Sequence, residues 1–279
     1  LELNFTASPL SDAGLFAITG PTGAGKRIEG TDAEMTQLFQ RAAHDWLELR
    51  RRPDARARER ASDLIGALNQ RFTDAAEISI IDLGAGSGAN LMWLAQHLTT
   101  PQRWKLVDRD ADLLEATQSM QTPQQVLGVD PVLRCIDQLS VAEVSAANLV
   151  TASAVLDVLS FAQLDRLAAL LGQAQTPALF SLNVTGEVSL CPAELLDSEL
   201  TASFNEHQHR SSLAGPQAAD YLTEKLEQSG FNVQHADTDW LEGTSPEAPE
   251  PEEMFVERYL SERVAASLEQ RPDLTEEGT

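Results

Sequence analysis

A glycine-rich turn between a predicted strand and a predicted helix constrains the fold of this chain more than any other stretch. The turn lies in IIDLGAGSGANLMWLA, residues 80–95, and carries Gly84, Gly86 and Gly88. Glycine reaches the φ angles that a sharp strand-to-helix turn needs, and its missing Cβ allows a ligand to lie against the backbone. The following helix offers free N–H groups to an anion. The segment therefore predicts a ligand-binding turn at the end of a buried strand.

The rest of the chain alternates predicted strands and helices. Strands are predicted over residues 78–83, 103–108, 131–137, 148–153, 178–184 and 231–240, and helices over residues 89–98, 110–120, 161–174 and 216–229. Two earlier helices are predicted over 33–49 and 55–72, with Pro53 interrupting the pattern between them. This alternation predicts an α/β fold with a doubly wound, mostly parallel sheet and N-terminal helices. In such a sheet the ligand lies beyond the carboxyl ends of the strands.

Two aspartates stand at the ends of the first two of these strands. Asp82 precedes the glycine turn, and Asp108 follows Gly84 by 24 residues, where a carboxylate can accept both ribose hydroxyls. The spacing Gly84-x-Gly86-x-x-Ala89 also satisfies the dinucleotide fingerprint. Asp82 favours S-adenosylmethionine instead, because a carboxylate attracts the ammonium of that molecule and repels a pyrophosphate.

Three longer stretches resemble the class I S-adenosylmethionine-dependent methyltransferases. They are D-L-G-A-G-S-G, W-K-L-V-D-R-D-A-D-L-L and N-L-V-T-A-S-A-V-L-D-V-L-S, beginning at residues 82, 104 and 148. The resemblance extends to W-L-E-L-R-R-R-P-D-A-R-A-R and F-N-E-H-Q, so it runs from about Trp46 to Trp240. It is strongest to a bacterial group with no firmly assigned substrate.

The resemblance implies a Rossmann-like, seven-stranded sheet and a particular set of cofactor contacts. By motif, the turn would surround the methionine moiety, Asp108 would hold the ribose, and Asp137 would lie near the adenine amino group. Thr151 and Ala152 would border the pocket of the methyl donor. The cofactor-binding residues implied in this way are Asp82, Gly84, Ala85, Gly86, Gly88, Asp108, Arg109, Asp137, Thr151 and Ala152.

Catalytic residues are less constrained, because methyl transfer depends mainly on holding donor and acceptor in line. A general base is needed only when the acceptor carries a proton to be removed. The candidates are Asp157, after the fourth core strand, His207, in F-N-E-H-Q, and His209, and we predict Asp157 and His207 as the catalytic residues. A helix cap or solvent-facing acid is the alternative for Asp157, and a surface or loop histidine is the alternative for His207.

The first residues contain a second glycine motif. Residues 14–27, GLFAITGPTGAGKR, have the G-x-x-x-x-G-K spacing of a phosphate-binding loop, but Arg27 replaces the Ser or Thr that would hold Mg²⁺. Residues 1–26 resemble the start of SMC-like exonuclease ATPases. We predict three parts: a non-functional P-loop-like extension over 1–30, a methyltransferase domain over 31–242, and an acidic linker with a C-terminal helix over 243–279.

Composition limits the partners. The formal net charge is −23, which disfavours general nucleic-acid binding. Six arginines between residues 50 and 60 are interpreted as a solvated helix face, and Cys135 and Cys191 as free buried thiols of a reducing compartment. With no recognisable signal peptide, membrane span or metal-ligand spacing, we expect a cytoplasmic protein that acts on a small molecule without a metal; the oligomeric state stays open.

Three functions are therefore weighed. The first is an S-adenosylmethionine-dependent methyltransferase with an unidentified acceptor. The second is an NAD(P)-dependent Rossmann oxidoreductase, although its Tyr-x-x-x-Lys spacing occurs only at Tyr221 and Lys225, late on an amphipathic helix. The third is a cofactor-binding protein without catalysis.

Overall fold

The computed structural model describes residues 14–19, 44–183, 185–242 and 250–275. Its strands are β1 (Gly14–Thr19), β2 (Ile78–Leu83), β3 (Gln102–Asp108), β4 (Val126–Leu133), β5 (Leu149–Ser153), β6 (Ala178–Asn183) and β7 (Asn232–Asp237). Its α-helices are α1 (His44–Glu59), α2 (Ser62–Arg71), α3 (Ala89–His97), α4 (Ala111–Thr117), α5 (Val141–Ser145), α6 (Phe161–Ala174), α7 (Asp197–Gln208), α8 (Ala218–Gln228) and α9 (Glu250–Gln270). The glycine-lysine motif at 20–26, the predicted helix before residue 44 and most of the acidic linker lie outside the described residues.

The strands form one sheet in the order β4-β3-β2-β5-β6-β1-β7. Every strand pair in it is parallel. The predicted α/β fold with a parallel sheet is confirmed. Because β2, β5 and β6 are nearly continuous in apolar residues, they lie in the centre and are buried on both faces.

Successive residues of the central strands enter two different cores. Ile80 and Leu149 pack with α2 and α3, whereas Ile81 and Val150 pack with α6 and α8. Side chains alternate between the faces of a strand. Helices therefore cover both faces of the sheet, as the alternation of strands and helices predicts.

A strand from the predicted N-terminal extension lies within the sheet. β1 pairs with β6, where Leu15 faces Ala178, and with β7, where Gly14 faces Asn232. The sheet thus includes residues from both sides of the expected boundary at residue 30. The three-part division of the chain stays a prediction.

The predicted interruption at Pro53 is wrong. Helix α1 contains Pro53 and continues to Glu59, and the break falls at residues 60–61 instead. Trp46, Arg50 and Asp54, spaced four residues apart, are all buried on one face of α1. Packing of this face offsets the roughly 3 kcal/mol that an internal proline costs a helix.

Helix α9 packs against α1. Phe255 of α9 stacks on Trp46 with ring centroids 5.5 Å apart and meets Trp240 edge-on at 4.8 Å. Tyr259, one turn further, also contacts Trp240. These rings form a third core and connect the C-terminal helix to the N-terminal one.

Candidate functional site

The three turn glycines have different neighbours. All of them have positive φ angles, 62° at Gly84, 52° at Gly86 and 83° at Gly88. A Cβ on Gly84 would lie 2.6 Å from Val155, and one on Gly88 would lie 3.0 Å from Met120. A Cβ on Gly86 would meet only Leu113, at 3.9 Å. Side chains of the protein therefore crowd two of the glycines, and Gly86 has the most room of the three.

Asp108 lies against this turn. Its Oδ2 accepts a hydrogen bond from the backbone N–H of Gly86 at 2.7 Å, and its Oδ1 accepts one from the N–H of Asp110 at 2.9 Å. A carboxylate offers about four acceptor positions. Acceptor capacity therefore remains on Asp108 for a ligand that lies over Gly86.

Asp82 is completely buried beneath the turn. Its Oδ1 accepts a hydrogen bond from Nδ2 of Asn90 at 2.8 Å, while its Oδ2 has no partner among the described residues. Burial raises the pKa of Asp82 to about 7, against the opposing effects of the Asn90 hydrogen bond and the charge of Arg58. A buried carboxylate oxygen without a partner is costly, and a cationic ligand group would compensate for it.

The interpretation of the arginine cluster as a fully solvated face is wrong for Arg50 and Arg58. Their exposed fractions are 5% and 3%. Arg58 Nη1 donates to Asn90 Oδ1 at 3.3 Å, and its guanidinium stacks over Trp93 at 4.4 Å. Desolvation lowers the pKa of Arg58 to about 10, so it stays charged at neutral pH. The four-residue spacing of Trp46, Arg50, Asp54 and Arg58 was the signal that this face is buried.

The other residues of the predicted cofactor set have varied surroundings. Thr151 is buried, accepts from Asn90 Nδ2 at 3.1 Å and donates to the carbonyl of Leu179 at 2.9 Å. Asp137 is half-buried in a 3₁₀ turn that occupies the end of the predicted strand 131–137. Ala85 and Ala152 are buried, and Arg109 is exposed.

The two candidate catalytic residues lie in different places. Asp157, with 3% of its surface exposed, sits in a turn after β5, and Ser160, not Asp157, caps α6. His207 is also buried, and its Nε2 lies 3.6 Å from Glu269 Oε2 of α9. Burial and the charge of Arg210 lower the pKa of His207, while Glu269 opposes them. The contact between His207 and Glu269 thus connects α7 with α9, and the catalytic role of His207 stays a prediction.

A separate open cavity of about 570 Å³ lies between the loop after β6 and α7. Its lining, as far as the described residues show it, is polar in part and includes two carboxylates but no cationic side chain. The lining residues are Glu187, Val188, Ser189, Leu190, Ala193, Asp197, Ser198, Thr201, Ala202 and Asn205. The loop follows the carboxyl end of β6 in the chain, and ligands of parallel sheets bind beyond such ends.

Two further predictions are tested by the structure. Cys135 and Cys191 are both exposed rather than buried, since each lies in a loop beyond the end of a strand. Tyr221 donates a hydrogen bond to Asp165 at 2.8 Å, and Lys225 lies 3.5 Å from the same carboxylate. The Tyr-x-x-x-Lys spacing therefore belongs to a surface ion-pair cluster between α6 and α8.

The described residues contain no group of three or more His, Cys, Asp or Glu side chains arranged to hold a metal ion. Within the same part of the chain, every helix is too short or too polar to cross a membrane.

No protein-family model matches the chain. One curated protein, a component of the nuclease SbcCD from Pseudomonas aeruginosa, is 80% identical over 25 residues. That match spans 9% of this chain and 2% of the nuclease component. Because the match covers so little of either protein, it assigns no activity to this chain.

Solved structures of methyltransferases and of a cyclopropane synthase are similar to parts of the chain. The synthase MmaA2 of Mycobacterium tuberculosis is 12% identical, with a TM-score of 0.40, and 60% of this chain matches 59% of it. An S-adenosylmethionine-dependent methyltransferase of Mesorhizobium loti is 18% identical, with a TM-score of 0.34, and 47% of this chain matches 55% of it. The magnesium protoporphyrin IX methyltransferase of Synechocystis PCC 6803, solved with bound SAM, is 15% identical, with a TM-score of 0.33 and coverages of 47% and 62%. The chain therefore spans less than two thirds of each, and likenesses of this size carry no argument about its activity.

Proposed function

We propose that the chain is an S-adenosylmethionine-dependent methyltransferase with a small-molecule acceptor. The observation that carries the proposal is the buried Oδ2 of Asp82, which lacks a partner in the described structure, beneath a turn in which Gly86 is the least crowded glycine. The proposal includes a Rossmann-like, doubly wound domain, predicted over residues 31–242, whose sheet also takes in β1 from the P-loop-like extension and which precedes an acidic linker and α9.

The residues of the site fit the charges of this cofactor. An ammonium needs a buried acceptor, which Asp82 supplies, and a carboxylate needs free N–H groups, which the start of α3 supplies. Ribose hydroxyls need an acceptor over Gly86, which Asp108 supplies. Asp137 and Arg109 would border the adenosine. Ala85, Thr151 and Ala152 would line the base of the cofactor site.

The bound cofactor would supply an electrophilic methyl group and its leaving group. The protein has to hold the acceptor in line and exclude water. Asp157 follows β5 directly and is the better candidate to remove a proton from the acceptor, while His207 would act from α7. The cavity of about 570 Å³ beyond β6 is the proposed acceptor space, and its two carboxylates favour a cationic or hydroxylated small molecule.

The dinucleotide alternative is less compatible with these contacts. A pyrophosphate over the turn would approach the carboxylates of Asp82 and Asp108, and like charges repel. The Tyr221–Lys225 pair is engaged at the surface with Asp165. A cofactor-binding protein without catalysis would have the same cofactor contacts, so only turnover distinguishes it.

Isothermal titration calorimetry of the full chain with S-adenosylhomocysteine tests the cofactor. Binding in the micromolar range, with no heat from NADH or ATP, is expected. NADH binding instead would favour the oxidoreductase, and no binding of either would contradict the proposal. Release of S-adenosylhomocysteine from S-adenosylmethionine with a panel of small amines and alcohols then tests for catalysis.

A further inference from the structure

We propose that Arg58 is a positioning residue of the cofactor site, which acts on Asp82 through the side-chain amide of Asn90. This inference rests on the proposed function. Arg58 would fix the orientation of the Asn90 amide and, with its charge, favour the ionised form of Asp82 that receives an ammonium. No contact of Arg58 with the cofactor is required.

The hydrogen bonds around Asn90 support one orientation of its amide. Its Oδ1 accepts from Arg58 Nη1 at 3.3 Å, and its Nδ2 donates to Asp82 Oδ1 at 2.8 Å and to Thr151 Oγ1 at 3.1 Å. The hydroxyl hydrogen of Thr151 is used in a bond to the Leu179 carbonyl, so Oγ1 can only accept from Asn90. A rotated amide would place oxygen against Asp82 and N–H groups against the guanidinium.

In this orientation the Asn90 amide bonds one oxygen of Asp82 and not the other. The amide of Asn90 satisfies Oδ1, and Oδ2 has no hydrogen-bond partner in the described part of the chain. Without Arg58, the Asn90 amide would lose the donor that holds its oxygen on the far side. Asp82 would then lose both a reliable hydrogen bond and a nearby positive charge.

Among the neighbouring charged groups, Arg58 is the cation that lowers the pKa of Asp82. The carboxylate of Asp54 is engaged by Arg50 at 2.8 Å and by Trp240 Nε1 at 3.1 Å. Arg58 hydrogen-bonds the backbone carbonyl of Asp54, at 3.2 Å, and the charge of Asp54 raises the pKa of Arg58 more than that of Asp82 does. In the described part of the chain, Arg58 from α1 lowers the pKa of Asp82 and Asp108 from β3 raises it.

The test compares Arg58→Met with Arg51→Met, which removes an exposed arginine from the same helix. The dissociation constant of S-adenosylhomocysteine is measured by calorimetry between pH 5.5 and 8.5. For the wild type, affinity should rise through about pH 7 as Asp82 ionises. For Arg58→Met, the midpoint should move up by about one pH unit, which weakens binding by about fivefold at pH 7 and by about tenfold well below it. Arg51→Met should match the wild type.

Coupling to Asn90 is tested by the double variant Arg58→Met/Asn90→Leu. If Arg58 acts partly through Asn90, the loss in the double variant should be smaller than the sum of the two single losses, because only the direct effect of the charge remains; fully additive losses would overturn the coupling. If Arg58→Met weakens S-adenosylhomocysteine binding equally at every pH, or leaves it unchanged, the proposal is overturned. If Arg58→Met does not fold by circular dichroism, Arg58→Gln carries the same expectation. Failure of the wild type to bind would instead refute the proposed function.

Discussion

The backbone N–H of Gly86 donates a 2.7 Å hydrogen bond to Oδ2 of Asp108. This hydrogen bond connects the end of β3 to the turn that follows β2. The carboxylate of Asp108 thereby stabilises the turn and lies next to Gly86. We therefore expect substitution of Asp108 to weaken ligand binding, and substitution of its neighbours on α4 to leave it unchanged.

Replacing Asp108 with alanine should weaken S-adenosylhomocysteine binding by about 1.5–3 kcal/mol, the range for hydrogen bonds to a charged group. The turn also loses its acceptor for the Gly86 N–H, so a small loss of stability is expected. Calorimetry of Asp108→Ala beside Asp112→Ala, an exposed acid on α4, measures the effect. Equal affinity for the two variants would contradict the role of Asp108.

Substitutions of Gly84 and Gly86 should separate stability from binding. Gly86→Val meets only Leu113, at 3.9 Å from the new Cβ, so it should fold with a left-handed-backbone penalty of about 1–2 kcal/mol and lose cofactor binding. Gly84→Ala places Cβ 2.6 Å from Val155 and should be the less stable variant. Urea denaturation ranks the two, and Val155→Ala should partly rescue Gly84→Ala. If Gly86→Val binds normally, the ligand does not lie over this turn.

The stability of the ligand-free protein should depend on pH through Asp82. Burial raises its pKa from 3.8 to about 7, so the folded state holds this proton more tightly than the unfolded chain. The contribution of Asp82 is therefore fully present below about pH 4 and is lost as pH rises through about 7. The difference in unfolding free energy between the wild type and Asp82→Asn, from urea titrations, should move against the wild type over this range. A pH-independent difference would show that Asp82 is ionised in the folded protein throughout.

Much of the fold follows from local sequence signals. Helix α6 has the predicted bounds, residues 161–174, because Ser160 and Gln163 form a capping box directly before an apolar stripe. The strand predicted over residues 131–137 begins later in the chain than the observed β4, Val126–Leu133. Its residues 126–133 include Gly128 and Pro131 and are half-exposed at the sheet edge, so they lack the apolar run that marks the central strands.

The site was predicted less completely than the fold. The turn, Asp82 and Asp108 are recognisable because they follow strands in the chain. Arg58 was not recognised: its helical spacing indicates a buried face, but the spacing does not identify its packing partners, Asn90 and Trp93. Such partners come from distant parts of the chain, and only the folded structure brings them together.

Removal of residues 1–30 should destabilise the protein, although this segment was predicted to be non-functional. β1 forms parallel ladders with both β6 and β7, so its loss leaves unpaired N–H and C=O groups on two strands. At a net value of about 0.5–1.5 kcal/mol per hydrogen bond, the loss should reach several kcal/mol. Thermal unfolding of the truncated chain should show a lower midpoint, with more aggregation in size-exclusion chromatography. Lys26→Ala is the matched control and should leave stability and nucleotide binding unchanged, because Arg27 replaces the Mg²⁺ ligand that such loops require. A truncated chain as stable as the full one would mean that β6 and β7 do not depend on β1.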